Sequence, residues 1–152
     1  MADLAEQLKA EYSILQSHYE TFDGRALTIK SLATPLLAGG LAVGLKESQP
    51  VLVVAVSLTA LSLWWLEGLW KTFQYCYAER IVAIERYFAG EIDDDDIRPF
   101  QIYRSWFQSW QSTRLSELPD RLKEPFVCLP YAPLIFASLA CLIWLWAAPG
   151  KS

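Results

Sequence analysis

The sequence predicts an all-α membrane protein with three transmembrane helices. Three long apolar stretches, residues 26–45, 51–70 and 126–148, are each close to the ~20 residues that a helix needs to cross a bilayer. Only two charged residues, Lys30 and Glu67, interrupt them. Apolar residues also follow a heptad spacing before the first stretch and after the second, which is typical of a coiled coil. The full prediction therefore adds a cytoplasmic helical hairpin, an antiparallel coiled coil, and an amphipathic helix at the membrane interface.

Composition narrows the possible functions of this 152-residue chain, which we interpret as a single membrane domain spanning residues 1–152. The net charge of −4 disfavours nucleic acid as a partner, because phosphate binding needs a basic surface. The first residues include Asp3 and Glu6 and lack the basic start of a signal peptide. The cysteines have neither metal-ligand nor disulfide-framework spacing, so we expect small apolar side chains and no cofactor; they are Cys76, Cys128 and Cys141.

The distribution of basic residues predicts the orientation in the membrane. Eleven of the 13 Lys and Arg residues lie in residues 1–30 and 71–125. Basic residues concentrate on the cytoplasmic side of membrane proteins, so we expect both regions in the cytoplasm. The turn at residues 46–50 and the C-terminus would then lie outside. The expected location is a membrane, taken here as the bacterial inner membrane.

Two amphipathic segments extend the first two spans into the cytoplasm. Residues 3–25 form one helix, and the helix that begins at Pro50 continues beyond residue 70 to residue 89. Gly90 is a plausible stop signal. Their apolar seam is expected to comprise Leu8, Tyr12, Leu15, Tyr19 and Phe22 on the first helix and Tyr77, Ile81, Ile84 and Phe88 on the second.

A turn near Ser48 would fold the second helix back along the first and would set the register of the hairpin. That register gives the pairs Lys30–Glu67, Glu11–Arg86 and His18–Glu79. A charge inside a membrane helix is costly and suggests a function. Lys30 and Glu67 form either a structural salt bridge or a polar vestibule of a pore or lipid-headgroup site. His18, the single histidine, is either a pH-sensitive group or a satisfied polar residue.

Small residues make one stripe of the first span suitable for close helix packing. Ala33, Gly40 and Gly44 lie on one helical face, and the two glycines match the pattern that brings membrane helices together. The stripe could serve the internal hairpin or a contact between subunits. We expect a homo-oligomer, with this face or the coiled coil at its interface.

An acidic loop, residues 91–97, contains Asp93, Asp94, Asp95 and Asp96. Clustered carboxylates suit Ca²⁺, although this run lacks the alternating spacing, glycine and terminal glutamate of an EF-hand loop. The alternative is that the acids favour the positive end of the next helix dipole. They are therefore only weak metal-site candidates.

Residues 99–118 follow Pro99 and predict a helix that lies in the membrane interface. Its aromatic side is expected to include Trp106, Phe107 and Trp110, with arginine and glutamine residues interspersed. Membrane lipids are therefore expected partners of the chain.

No catalytic motif is present, and we expect no enzymatic activity. The stretch from Leu66 to Lys71 lacks the glutamate- and asparagine-bearing motif of bacterial diacylglycerol kinase, another small three-span protein. The layout is similar to small multi-span effectors of bacterial anti-phage systems, which implies a self-assembling pore-former or membrane-disrupting protein with a cytoplasmic coiled coil. One alternative is an accessory or scaffold subunit of a larger membrane complex, with a cytoplasmic protein partner. A second alternative is a lipid-modifying membrane enzyme.

Overall fold

A computed structural model describes residues 3–113 and 116–147. Every regular element in these ranges is a helix, which confirms the all-α prediction. The elements are α1 (Leu4–Lys46), α2 (Pro50–Phe88), α3 (Ile102–Thr113), α4 (Leu118–Lys123), α5 (Pro125–Cys128) and α6 (Tyr131–Ala147).

Helix α1 runs for 43 residues and includes Pro35 without ending there. Its last turn closes through a hydrogen bond from the Gln49 N–H to the Gly44 carbonyl, 2.8 Å long. Ser48 adopts a φ of +51°, so the chain reverses direction in three residues before α2 begins at Pro50. The first N–H groups of a helix have no intrahelical acceptor. Proline has no N–H, so its use at the first helical position costs no hydrogen bond and favours a helix start there.

Helix α2 runs for 39 residues and ends where the sequence places a glycine. Gly90 adopts a φ of +77°, and the Glu91 N–H donates to the Arg86 carbonyl over 2.9 Å. This arrangement satisfies carbonyl groups that the end of a helix would otherwise leave free. Residues without a glycine's freedom rarely adopt such a backbone conformation.

The later helices are shorter than the sequence predicts. The expected helix over 99–118 begins only at Ile102, because Phe100 adopts a φ of +58° that no helix accommodates. Leu118 opens α4 instead of ending α3. The expected span over 126–148 is interrupted at Leu129, which is extended before Pro130, and residue 148 lies outside the described ranges.

The chain divides into two compact units. Unit 1 comprises the described residues of Met1–Arg25 and Leu69–Pro119, and unit 2 those of Ala26–Gly68 and Asp120–Ser152. In unit 1 the start of α1 packs antiparallel to the end of α2. Its core consists of Leu8, Leu15, Ile81, Ile84 and Ile97.

Unit 2 contains the apolar halves of α1 and α2 together with α6. Its buried core consists of Leu37, Leu41, Val53, Val56 and Ala60, and side chains of α6 pack against it. Two helices, α1 and α2, are long and apolar enough to cross a membrane, and α6 is a shorter apolar helix. Only 22% and 28% of the most apolar windows of α1 and α2 are buried. A helix in the core of a soluble protein would bury most of such a window.

Candidate functional site

The strongest candidate site is a pair of charges buried in unit 2. Lys30 Nζ lies 2.5 Å from Glu67 Oε1, and the two side chains are 11% and 7% exposed. Lys30 also donates a hydrogen bond to the Phe126 carbonyl, and its Nζ lies 4.0 Å from the centre of the Phe126 ring. The ammonium group therefore has a carboxylate, a carbonyl and an aromatic face around it.

Helix α6 completes this charge cluster. The buried Tyr131 side chain is hydrogen-bonded to Glu67 and lies near Lys30, whose Nζ is 5.9 Å from the ring centre. Two opposite charges thus pair inside an apolar surrounding, enclosed by residues from four helices, α1, α2, α5 and α6. Such an arrangement can fix helix positions, because a charge left alone there would be costly. The sequence pairs Lys30 with Glu67 but carries no signal for the contribution of Tyr131.

The segment before α6 is held against α2 by polar contacts within unit 2. The Trp64 Nε1–H donates to the Leu122 carbonyl over 3.0 Å. Arg121 and Glu124 form an ion pair of 3.0 Å, three residues apart. The Trp64 hydrogen bond holds α4 against α2, and the ion pair links α4 to the residue just before α5.

The stripe of Ala33, Gly40 and Gly44 faces α2 inside unit 2. A Cβ atom on Gly40 would lie 3.0 Å from Val56 Cγ2, and one on Gly44 would lie 2.8 Å from Val53 Cγ2. Ala33 packs against the same core. The stripe is therefore occupied within the chain, which is the first of the two uses that the sequence leaves open, a contact inside the hairpin. Gly39 differs, since a Cβ atom there meets nothing within 4 Å.

A second buried ion pair lies in unit 1. Arg80 donates from Nε and Nη2 to the two carboxylate oxygens of Glu11, at 2.9 and 3.0 Å. The Phe100 N–H donates to Glu11 Oε2 over 2.7 Å, and Arg80 Nη2 donates to the Arg98 carbonyl. The expected partner of Glu11, Arg86, instead pairs with Glu91 on the surface, so that pairing is wrong.

Most of the predicted seam lies in or beside the core of unit 1. Leu8, Leu15, Ile81 and Ile84 are buried, and Tyr12, Tyr19 and Tyr77 pack around them. The Phe22 ring lies 6.1 Å from that of Tyr77. Phe88 is 46% exposed with Lys9 above its ring, which corrects its assignment to the seam.

Polar groups at the edges of this seam pair differently from the expected register. The ring of His18 lies edge-on to Tyr77, with 6.0 Å between ring centres, and no contact with Glu79 is found among the described residues. Lys71 and Asp23 form an ion pair of 2.9 Å that the sequence analysis missed. Asp23 on α1 and Lys71 on α2 carry opposite charges. Comparing all possible registers of the two helices could have identified this pair.

The acidic loop does not form a metal site in the described part of the chain. No group of three or more His, Cys, Asp or Glu residues is placed there to hold a metal ion. Asp94 accepts a hydrogen bond of 2.9 Å from the Tyr87 hydroxyl, and this bond raises the pKa of Tyr87. The weak assignment of a cation to Asp93, Asp94, Asp95 and Asp96 therefore finds no matching geometry.

The tryptophans of α3 pack inward, against α2. The Trp106 Nε1–H donates to the Phe73 carbonyl over 3.1 Å, and the Trp110 ring lies 4.9 Å from the Phe73 ring. Phe107 is 39% exposed and stacks on Tyr103, which is 74% exposed. Of the three aromatics assigned to the membrane interface, only Phe107 thus has an outward-facing ring.

A buried polar layer joins α3 to α2. The Cys76 thiol, 1% exposed, donates to the Thr72 carbonyl over 3.3 Å and contacts Ser109. Burial raises the pKa of the Cys76 thiol, against a smaller opposing effect of the Ser109 hydrogen bond. A neutral thiol in such a place behaves as a small packing group, not as a nucleophile.

Compared with models of protein families, with curated proteins and with solved structures, the chain matches none of them.

Proposed function

We propose that this chain is a non-enzymatic integral membrane protein that assembles with further copies of itself and perforates or disrupts the membrane. An effector of a bacterial defence system would act in this way. The observation that carries the proposal is the apolar exterior of unit 2. Large apolar side chains are exposed on α1, α2 and α6, among them Leu36 (75% exposed), Val51 (78%) and Trp146 (86%).

An exterior of this kind favours lipid as the surrounding solvent. Soluble monomers rarely expose large contiguous apolar patches, whereas the lipid-facing surface of a membrane protein is apolar throughout. The two charges within the apolar stretches 26–45 and 51–70, Lys30 and Glu67, are buried and paired. Unit 2 therefore combines an apolar outside with a paired polar inside, the distribution that a bilayer requires.

Three spans are the number that we propose. Helix α6 has 17 residues, and at 1.5 Å per residue it covers about 26 Å, just short of a ~30 Å hydrocarbon core. The apolar α5 precedes it and adds length. The excess of Lys and Arg in residues 1–30 and 71–125 supports a cytoplasmic N-terminus and an outward-facing C-terminus in the inner membrane.

Self-assembly is supported by a second set of small residues on α1, different from the buried stripe. Pro35, Ala38, Gly39 and Ala42 are all exposed or open, and we call them the outer small-residue face. Residues four apart on this face allow two helix backbones to approach closely, and such packing is a main source of attraction between helices in lipid. A second copy of the chain is the partner that we propose for this face.

The accessory-subunit alternative is favoured by apolar side chains that unit 1 leaves open. Ile14 is 43% exposed and Val82 is 49% exposed, on segments expected to lie in the cytoplasm. A cytoplasmic protein could cover them. The lipid-modifying alternative has less support, because the buried acids Glu11 and Glu67 are each bound to basic and polar groups of the chain itself.

The proposal is tested by the size and toxicity of the full chain and of two variants. Gly39→Leu adds bulk on the outer small-residue face, and leucine favours a helix by about 1 kcal/mol over glycine, so folding should be retained. Ala55→Leu makes a similar addition at an exposed position of α2 and is the matched control. Light scattering in mild detergents should show an oligomer for the parent and the control but smaller particles for Gly39→Leu, with lower toxicity on expression. A parent chain that is monomeric in several detergents would favour the accessory-subunit alternative.

A further inference from the structure

The outward side of α3 carries aromatic and basic groups together. Phe100, just before the helix, and Tyr103 are 57% and 74% exposed, and Phe107 stacks on Tyr103 with 5.9 Å between ring centres. The side chains of Arg98 and Arg104 are exposed and form no ion pair with any described residue. These five residues are called the α3 outer patch. No acidic residue occurs from Arg98 to Thr113.

We propose that the α3 outer patch binds the surface of an anionic phospholipid bilayer, the cytoplasmic leaflet of the membrane that the chain spans. This inference rests on the proposed function and names a lipid class as partner for a segment outside the spans. Tyrosine and phenylalanine rings suit the boundary between headgroups and acyl chains. Arginine side chains beside them pair with phosphate groups, each contributing a favourable interaction with anionic lipid.

The place where α3 packs on α2 supports this choice of partner. Trp110 and Trp106 both contact Phe73, which follows the apolar run of α2 by three residues, since that run ends at Trp70. Three residues of helix correspond to about 4.5 Å. The second half of α3 therefore lies beside the part of α2 that leaves the bilayer.

The acidic loop lies far from the inner half of α3. Asp93, Asp94 and Asp95 lie next to Tyr87 and Phe88 at the far end of α2. Phe73 and Phe88 are 15 residues apart on one helix, a separation of about 22 Å. Exposed charges are screened over a Debye length of about 8 Å at physiological salt. The acids are therefore screened from the inner half of α3, whereas Arg98 follows Asp96 by only two residues and lies closer to them.

The same geometry explains why α3 has aromatics on two sides. Its tryptophans anchor the helix to α2, and Cys76 contacts Ser109 beneath it. That anchoring fixes the direction in which Tyr103 and Phe107 project. A protein partner would also fit an aromatic patch, but two exposed arginines that form no ion pair with any described residue match an anionic surface better.

The test uses the full chain in lipid nanodiscs, with Cys128 and Cys141 replaced by Ala and the buried Cys76 left in place. A fluorophore is attached at Gln111→Cys, which lies on the same exposed face of α3 as Arg104 and Phe107. In a control protein the fluorophore is attached at Val82→Cys on α2. Discs contain phosphatidylcholine alone or mixed with phosphatidylglycerol, each with and without a lipid that carries a quencher near the headgroup.

We expect lipid quenching at residue 111 to exceed that at residue 82 and to increase with phosphatidylglycerol. Replacing Arg98 and Arg104 by Gln should lower the ratio of docked to free α3 by roughly fivefold for each arginine. Equal quenching at the two positions, or quenching that ignores both phosphatidylglycerol and the arginines, overturns the proposal.

Insertion of the chain is measured separately, by its resistance to extraction from vesicles with alkaline carbonate. A chain that resists extraction but shows no extra quenching at residue 111 overturns the assignment of α3 alone. A chain that is extracted overturns the proposed function and this inference with it.

Discussion

Glu11 and Arg80 form a bidentate ion pair that joins three segments of unit 1. Glu11 lies on α1 and is fully buried, and Arg80 lies on α2. The same carboxylate accepts the N–H of Phe100, while Arg80 also donates to the Arg98 carbonyl. The pair therefore fixes the loop that leads into α3 as well as the two long helices.

Removing either member of this pair should destabilise unit 1 strongly. Glu11→Ala leaves the Arg80 guanidinium buried without its carboxylate, and we expect a loss of about 3–5 kcal/mol in the free energy of unfolding. Denaturant titration in detergent, followed by tryptophan fluorescence, measures this loss, since two of the seven tryptophans lie on α3. Arg86→Gln is the matched control, because the Arg86–Glu91 pair is more than half exposed and should contribute less than about 1 kcal/mol.

The double variant Glu11→Leu with Arg80→Met tests the reason for this loss. It removes both charges and keeps side chains of similar length, so much of the stability should return. If the single variant Glu11→Ala is no less stable than Arg86→Gln, the buried pair does not hold unit 1 together.

The Lys30–Glu67 pair should behave in the same way within unit 2. Glu67→Gln keeps the shape of the side chain but leaves the Lys30 charge uncompensated, so we expect a fall of several kcal/mol in stability. Lys30→Met combined with Glu67→Leu should restore much of it. Thermal unfolding in detergent measures both, and Lys46→Gln, in an exposed pair, serves as the control.

A channel function of these charges predicts a different pattern from a purely structural one. If they line a conducting path, the double variant would fold but lose ion flux in vesicles. We expect flux to be retained whenever the fold is retained, because the buried pair is closed off by Phe126 and Tyr131.

Two glycines five residues apart on α1, Gly39 and Gly44, should respond oppositely to the same substitution. A Cβ atom on Gly44 would come within 2.8 Å of Val53 Cγ2, so Gly44→Ala should cost about 1–3 kcal/mol through overpacking. Gly39→Ala meets open space and should be neutral or stabilise the helix by up to about 1 kcal/mol. Thermal unfolding of the two variants in one detergent compares them.

A second substitution at Val53 shows whether the expected loss of stability in Gly44→Ala comes from steric contact with Val53 or from a general intolerance of alanine at residue 44. Val53→Ala removes the methyl group that Gly44→Ala meets, so the double variant should lose less stability than the two single changes together. Strict additivity would contradict the close contact between α1 and α2.

These glycines also show where sequence reasoning reaches its limit. The spacing of Ala33, Gly40 and Gly44 identifies one face of α1, and Pro50 and Gly90 mark the ends of α2. A face alone does not reveal its neighbour. Only the packing of Val53 and Val56 against it shows that the face is used inside the chain.

The ion pairs illustrate the same limit for long-range contacts. Lys30 and Glu67 are the only charges in their apolar stretches, so their pairing follows from simple elimination. Glu11 had several basic candidates on α2, and the choice of Arg80 depends on the loop at Arg98 and Phe100. That loop adopts a positive φ at a phenylalanine, which no local sequence pattern predicts.

The buried thiol of Cys76 predicts low reactivity and a dependence of stability on pH. Its folded-state pKa lies above the ordinary value of 9.0, so its contribution to stability is complete below pH 9 and is lost as the pH rises further. Cys76→Ala should therefore make unit 1 less sensitive to alkali above pH 9. Stability measured against pH checks this, and rapid labelling of Cys76 by a maleimide in the folded chain would contradict its burial.

The orientation in the membrane can be tested at two serines. Ser48 lies in the turn between α1 and α2, and Ser112 lies on α3, where both are exposed. The excess of basic residues around α3 places Ser112 in the cytoplasm and Ser48 outside. In a chain whose own cysteines are replaced by alanine, a membrane-impermeant thiol reagent added to intact cells should label Ser48→Cys and not Ser112→Cys. After the cells are opened, both should be labelled, which controls for accessibility. Labelling of Ser112→Cys alone in intact cells would invert the orientation and place the α3 outer patch on the opposite, outer leaflet.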